Sequence, residues 1–516
     1  MPIYSKNSDN VINVKNYGAL GDGSTDDTAA IQAAITAAAG SVCYLPDGNY
    51  VCGRLYFNNN DTTLAGPGTL ESSETVGMSI TAGVSNIKLK DFTLDGNSNM
   101  RVGVWILENA SGCSITDVTI KDLSSSGATH DAILFKEGCH NLNIRGCIID
   151  GVRATDTSAT RGIRGAAVSE KDSPIHGVRI IGNHISNITP HNDAEGIVIQ
   201  EWSAICDVVI ANNTFENCAK RAIKLQAPGC VVTGNVGRLP ATDGTNLPRC
   251  AIDILTSNVV VANNRFELPD GADDGGILIG SAGTPSNIVI SGNHIYAPDR
   301  HGAVNMDGVD CDSDGGVGIV ITGNYFGDEL RFGVRLQHAI TDSSITGNHF
   351  NGCNNYTMWF PVGTEVSVVG NSYRNCVYNG AINSVTGARQ DFGGRTIGWG
   401  TTAPGHGTFL SGSRIYNLAP SSGTTTDLGW VCTDSGTMGT LTNVSGSTTN
   451  GSPTVEVNDA SDLEIGHYLD IDGNERRILD ISGTTITVSD NMSSDDGSVP
   501  IDYFNATWEP FGNIGD

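Results

Sequence analysis

The chain has 516 residues, of which 29 are Lys or Arg and 56 Asp or Glu, for a formal charge of −27, with 65 glycines and 6% aromatics. A carboxylate surplus of that size argues against nucleic acid, which needs concentrated Lys and Arg, and Lys224 is the last lysine of the chain. No apolar run reaches membrane-spanning length, and residues 1–10 lack the basic-then-apolar pattern of a signal peptide, so neither membrane insertion nor signal-directed export is expected.

In chain order, residues 24–27 offer a capping-box-like start and residues 28–39 read as a helix that would cover the open end of a β stack. The 13 cysteines sit mostly in apolar stretches and read as small buried hydrophobes, with a Cys43–Cys52 bridge as the exception. From residue 51 to about 390 one phrase recurs: apolar, any, Gly or Asn, Asn, any, apolar. Its asparagines are Asn183, Asn213, Asn235, Asn264, Asn293, Asn324, Asn348 and Asn371, with Phe92, Val118 and Cys147 in the same slot of three earlier copies. A second strand signal precedes each phrase, its first inward residue being Val104, Ile133, Ala166, Ile197, Ile223, Ile252, Ile277, Ala303, Val334 or Met358.

A unit of about 28 residues cannot bury a core alone, so the copies must stack. The arrangement predicted is all-β: a right-handed parallel β-helix of about 11 rungs, its asparagines forming a ladder at one corner. The expected domains are a capping segment (1–50), the β-helix (51–390) and a C-terminal β module (391–516). In the last, residues 454–457, 467–471, 477–481 and 484–488 read as short strands, and the module would serve trimer formation, sugar binding or end-capping.

The opening segment carries a resemblance. Asn13-Val14-Lys15-Asn16-Tyr17-Gly18-Ala19-Leu20-Gly21-Asp22-Gly23, followed by Ser24-Thr25-Asp26-Asp27-Thr28-Ala29-Ala30-Ile31-Gln32, resembles the N-terminus of pectate-lyase-like parallel β-helix proteins. That superfamily includes phage tailspike depolymerases, polysaccharide lyases and hydrolases, and mannuronan epimerases. The resemblance implies a homotrimeric tailspike of a virion tail that cuts a bacterial surface polysaccharide. The alternatives are a secreted lyase or epimerase acting on uronic acids, or a glycan-binding adhesin. Residue 11 already lies in the capping motif, so either a preceding anchor has been trimmed away or attachment to a tail uses something else. The Asp-Pro-His motif of the epimerases is missing, and Gly405-His406-Gly407 lies beyond the rungs.

With the rungs in register, equal offsets stack. Glu108, Glu137, Glu170 and Glu201 then form a column, Trp202 follows Glu201, and Asp131, Arg164, Glu195, Arg221 and His301 share a second offset. Glycoside hydrolysis needs two carboxyl groups about 5 to 9.5 Å apart. The catalytic candidates are Glu195, Glu201, Asp253 and Asp193, with Trp202, Arg221, Lys224, Gln200 and Gln226 as substrate-binding residues. Arg221 and Lys224 would bind a sugar carboxylate or, alternatively, form surface salt bridges with Glu195 and Asp253. Hydrolysis is favoured over β-elimination, and no cofactor is required. Asp310, Asp312 and Asp314 have the spacing of the first half of a calcium loop, but Ile321 stands where its bidentate Glu belongs. The segment reads as an insertion within one rung, either a structural calcium site or a solvated acidic loop.

Overall fold

The computed structural model describes residues 11–513 apart from 73, 167–173, 190–192, 201–205, 241–248, 269–274, 281–283, 299–305, 314, 339, 361–365, 377, 383–389, 392–395, 401–406, 410–413, 418–426, 435, 439–440, 442–443, 465–466, 472–473 and 505–506. Two compact units result, Met1–Trp359 with Asn371–Gly380, and Phe360–Gly370 with Ala381–Asp516.

The first unit is a parallel β-helix. Its chain visits three parallel sheets in turn and returns one strand further along each. Sheet one starts at Val11–Asn13 and sheet two at Asp22–Asp26. Sheet three runs from Leu55–Phe57 through Val102–Ile106, Ala194–Gln200, Asp307–Cys311 and Tyr356–Trp359 to Tyr378–Ile382. Alternate residues point inward and build the core, in which Phe135, Phe215, Phe266, Phe326 and Phe350 are fully buried.

The recurring phrase has a stereochemical cause. Its Gly-or-Asn slot is the corner between sheets one and two, where φ is positive: Asn212 (55°), Gly234 (66°), Asn263 (56°), Gly292 (63°) and Gly323 (63°). Only residues that tolerate the left-handed region fit there. The asparagine that follows is buried and builds the ladder. Nδ2 of Asn183 donates to Oδ1 of Asn213 at 2.9 Å, and the donation repeats through Asn235, Asn264, Asn293, Asn324 and Asn348 to Asn371 at 2.9–3.0 Å. Each Oδ1 also accepts the backbone N–H of the preceding ladder residue. At the first rung of the ladder that donor is the N–H of Cys147, at 2.9 Å.

A helix, Thr28–Ala37, lies over the first strand of sheet three. The Gln32 amide accepts the N–H of Tyr56 at 2.8 Å and donates to its carbonyl at 2.9 Å, which satisfies an edge that would otherwise invite strand addition. The capping box does not form. Asp22–Asp26 is a strand, and the Asp27 carboxylate turns back to the N–H groups of Leu20 and Gly21 at 2.7 and 2.9 Å. The Cys43–Cys52 bridge is also absent. Cys43 belongs to sheet one and Cys52 to sheet two, and all 13 cysteines are buried thiols.

The second unit contains a closed antiparallel barrel of Ser445–Thr448, Thr454–Val457, Thr485–Val488, Asn474–Ser482, Tyr468–Ile471 and Asp496–Tyr503. It has its own core, including Val455, Leu469, Ile478, Ile486 and Ile501. The barrel is inserted between two strands that pair with each other, Asp427–Asp434 and Thr507–Asn513.

Candidate functional site on sheet three

Sheet three carries the charged residues, and its register differs from the expectation at two rungs. Ile163, not Ala166, stacks between Ile133 and Ile197. The next inward slot is Gly165, between Phe135 and Ile199, and the Phe135 ring fills its space: a Cβ there would lie 2.5 Å from Phe135 Cε2. Arg161 therefore joins Asp131, Glu195 and Arg221 in one column, while Arg164 joins Leu134, Val198, Lys224 and Asp253 in another. Likewise Val309, not Ala303, stacks between Ile277 and Val334.

That second shift changes the acidic segment. Asp310 is a strand residue, stacked beside Leu278 and Arg335 rather than placed in an inserted loop. Its buried carboxylate faces Arg335 at 3.5 Å and the Gln337 amide at 3.0 Å. The N–H of Asp312 donates to the Ile279 carbonyl at 2.9 Å, and Asp314 lies outside the described residues. Among the described residues no group of three or more His, Cys, Asp and Glu side chains is placed to hold a metal ion.

Four of the expected site residues meet Arg221 in one network. Arg221 Nη1 lies 3.0 Å from Glu195 Oε1 and 3.4 Å from Asp193 Oδ1, and its Nε lies 2.7 Å from Asp253 Oδ2. Lys224 Nζ approaches Glu195 at 3.5 Å and Asp193 at 3.6 Å, so its partner is not Asp253. Arg161 closes the far side, 3.2 Å from Glu195 Oε2 and 3.9 Å from Asp193 Oδ2. The salt bridges are not at the surface. Glu195 and Asp253 are wholly buried, whereas the Asp193 side chain is 45% exposed. A neighbouring pair, Asp131 with Arg164 at 2.7 Å, adjoins this network through Arg161, which stacks beside Asp131.

The two adjacent acids are driven apart in acidity. Burial pushes the Glu195 carboxyl up, Asp193 adds to that, and Arg161, Lys224 and Arg221 pull against it. Partial burial pushes Asp193 up, but Lys224, Arg221 and Arg161 outweigh it, and a hydrogen bond with Glu195 helps to hold Asp193 below the usual carboxylate range. One carboxyl group is thus suited to hold a proton and its solvent-facing neighbour to stay ionised.

The remaining candidates separate from this pair. Gln200 ends the strand Ala194–Gln200, five residues beyond Glu195, or about 16 Å at the rise of a β-strand. Glu201 and Trp202 lie outside the described residues, as do Glu170 and His301. Gln226 is buried on the next rung, its N–H donating to the Ile199 carbonyl at 2.8 Å. Sequence reasoning misses Arg161 because the Thr160-Arg161-Gly162-Ile163 stretch precedes a second apolar pair, Ala166 and Val168, that mimics the strand signal. The glycine at 165 is the available clue. It also misses a further pair, the buried Asp307 with Arg331 at 2.5 Å.

Comparisons with known proteins agree with this architecture. Residues 11–224 match the family described as Rhamnogalacturonase A/epimerase, pectate lyase-like. The pre-neck appendage protein of Bacillus phage B103 is 31% identical over 237 residues, 40% of this chain and 26% of the phage protein. Mannuronan C5-epimerase AlgE3 of Azotobacter vinelandii is 41% identical over 108 residues, 16% of this chain and 6% of the epimerase. The chain thus spans about a quarter of the length of the appendage protein and less of the epimerase. In fold, the surface adhesin PfbA of Streptococcus pneumoniae superposes with a TM-score of 0.55 at 17% identity, covering 69% of this chain and 91% of the adhesin. Residues 11–224 thus resemble the pectate-lyase-like family in sequence, and the three-sheet coil is a parallel β-helix in fold.

Proposed function

We propose that the chain is a phage appendage-type depolymerase that cuts a bacterial surface polysaccharide by glycoside hydrolysis in the carboxylate cluster of Asp193, Glu195 and Asp253. The observation that carries the reading is the half-exposed Asp193 carboxylate set beside the buried Glu195 and Asp253 carboxyls, all three held by Arg221. Asp193, half-exposed, meets the sugar; Glu195, behind it, holds the proton; Arg161, Arg221 and Lys224 position both. From the sequence, Glu201 and Trp202 stay candidate contacts with the polymer, together with Gln200. The resemblance to phage appendage proteins supports a place on a virion, and the working assembly is the homotrimer that a tailspike-type chain would form.

The test is to incubate the chain with a panel of capsules and O-antigens and to analyse the fragments by mass spectrometry. New reducing ends without ultraviolet absorbance are expected, with Asp193→Asn lowering the rate at least about 100-fold. Absorbing, unsaturated products would overturn hydrolysis in favour of a lyase. Binding without fragments would make the chain an adhesin.

A further inference from the structure

We infer that sheet three carries a second binding site, built from Arg54, Trp105 and Lys136, for an anionic sugar unit of the polymer. This inference rests on the proposal that the polymer lies along this face, and adds the substrate's charge.

Trp105 stands outward between Ser79 and Leu134 in the column that continues to Arg164 and Val198. An outward apolar cluster of Val76, Val102, Leu134 and Ala166 packs against its ring and fixes it. The Arg54 guanidinium lies 5.3 Å from the centre of that ring and 5.0 Å from that of Tyr56, and the Lys136 ammonium lies 6.0 Å from the Trp105 ring. Arg54 Nε donates to Ser79 Oγ at 2.7 Å, which leaves the terminal guanidinium nitrogens for another acceptor. The indole Nε1 is buried with no hydrogen-bond partner among the described residues.

The charge of this group separates it from the network around Arg221. Among the described residues neither Arg54 nor Lys136 has a carboxylate partner, although acids outnumber bases almost two to one in the chain. Two cations over one indole repel each other, and ring contacts compensate this only in part. An anion between them removes the repulsion, and the Arg fork suits a carboxylate or phosphate equally. The ring supplies a flat apolar surface for the sugar that carries it. Three rung steps separate Trp105 from the strand of Glu195, about 14 Å, so one oligosaccharide can reach both. The Lys136 column leads through Ala166 to Gln200, which gives that residue a place on the path between them.

Affinity electrophoresis of the full chain in gels containing polygalacturonate, phosphomannan or dextran tests the site and separates the two sources of anion. The wild type should be retarded by polygalacturonate or phosphomannan and not by dextran, with Arg54→Gln/Lys136→Gln weakening the binding by about tenfold. Lys136→Glu, which alters one half-exposed side chain, should weaken it as well and guards against misfolding of the double variant. Failure of both anionic polymers to retard the chain, equal retardation by dextran, or wild-type retardation of the variants would each overturn the site. If Asp193→Asn still cleaves while Arg54→Gln/Lys136→Gln loses binding, the hydrolase reading falls and this site stands. If Asp193→Asn loses cleavage and the double variant binds as the wild type does, only this site falls.

Discussion

Arg221 touches Asp193, Glu195 and Asp253 at once, at 3.4, 3.0 and 2.7 Å. Two of these acids are wholly buried, so removing the guanidinium leaves uncompensated charge in a low-dielectric site. Arg221→Met should therefore cost about 3 to 5 kcal/mol, read as a lower midpoint in denaturant. Asp193→Asn, at the half-exposed end of the network, should leave the midpoint within about 1 kcal/mol of wild type while removing cleavage. The pH dependence follows the sign of the Asp193 shift. Its folded value is lowered, so the stability it contributes is present above the unfolded aspartate value and is lost as the pH falls through the lowered one. The acid limb set by Asp193 should accordingly lie below about pH 4 in a rate profile, and an acid limb near pH 5 would reassign the ionised group. The Glu195 and Arg221 pairing is legible from rung spacing alone, because adjacent rungs bring equal offsets together. The burial of that pair is not, since only the packed structure shows which outward side chains are covered.

At the scale of elements, the ladder is the feature most tightly bound to the sequence. Asn264 uses its Oδ1 for the amide and N–H of Asn235, and its Nδ2 for the Val232 carbonyl and Asn293. Asn264→Ala strands several buried groups at once, and a loss of about 3 kcal/mol is expected in thermal or denaturant melting. A loss under about 1 kcal/mol would mean that water replaces the amide. At the stack's end, Gln32→Ala should free the edge of strand Leu55–Phe57, seen as faster amide exchange at Tyr56. Two barrel strands escape a reading of the sequence for physical reasons. Ser445–Thr448 has no large apolar residue, and Gly446 lies where a Cβ would meet Val455 and Ile501 at 2.6 and 2.7 Å. Pro500 interrupts the alternation of the last strand.

For the whole molecule, two units with separate cores predict two thermal transitions. The barrel core of Leu469, Ile478 and Ile486 shares no member with the β-helix, so calorimetry should resolve a barrel transition that Asn264→Ala leaves in place. A homotrimer would sediment at three times 53.9 kDa, and a single-chain mass would refute it. The charge of −27 takes on meaning at this scale: a chain that repels polyanions almost everywhere keeps two cations at Arg54 and Lys136 beside an indole.

Repetition makes the coil legible in the amino-acid sequence by itself. The Gly-or-Asn and Asn slots encode a left-handed corner and a buried amide, both local demands that any rung must meet. Register at Ile163 and Val309, the partners of Asp310, and the joining of Arg161 to Glu195 are decided only by tertiary packing. Those choices depend on which of two apolar pairs fits against the rungs on either side. Gly165 lets the Phe135 ring into the core, and that single fit sets which charges come together on the face outside.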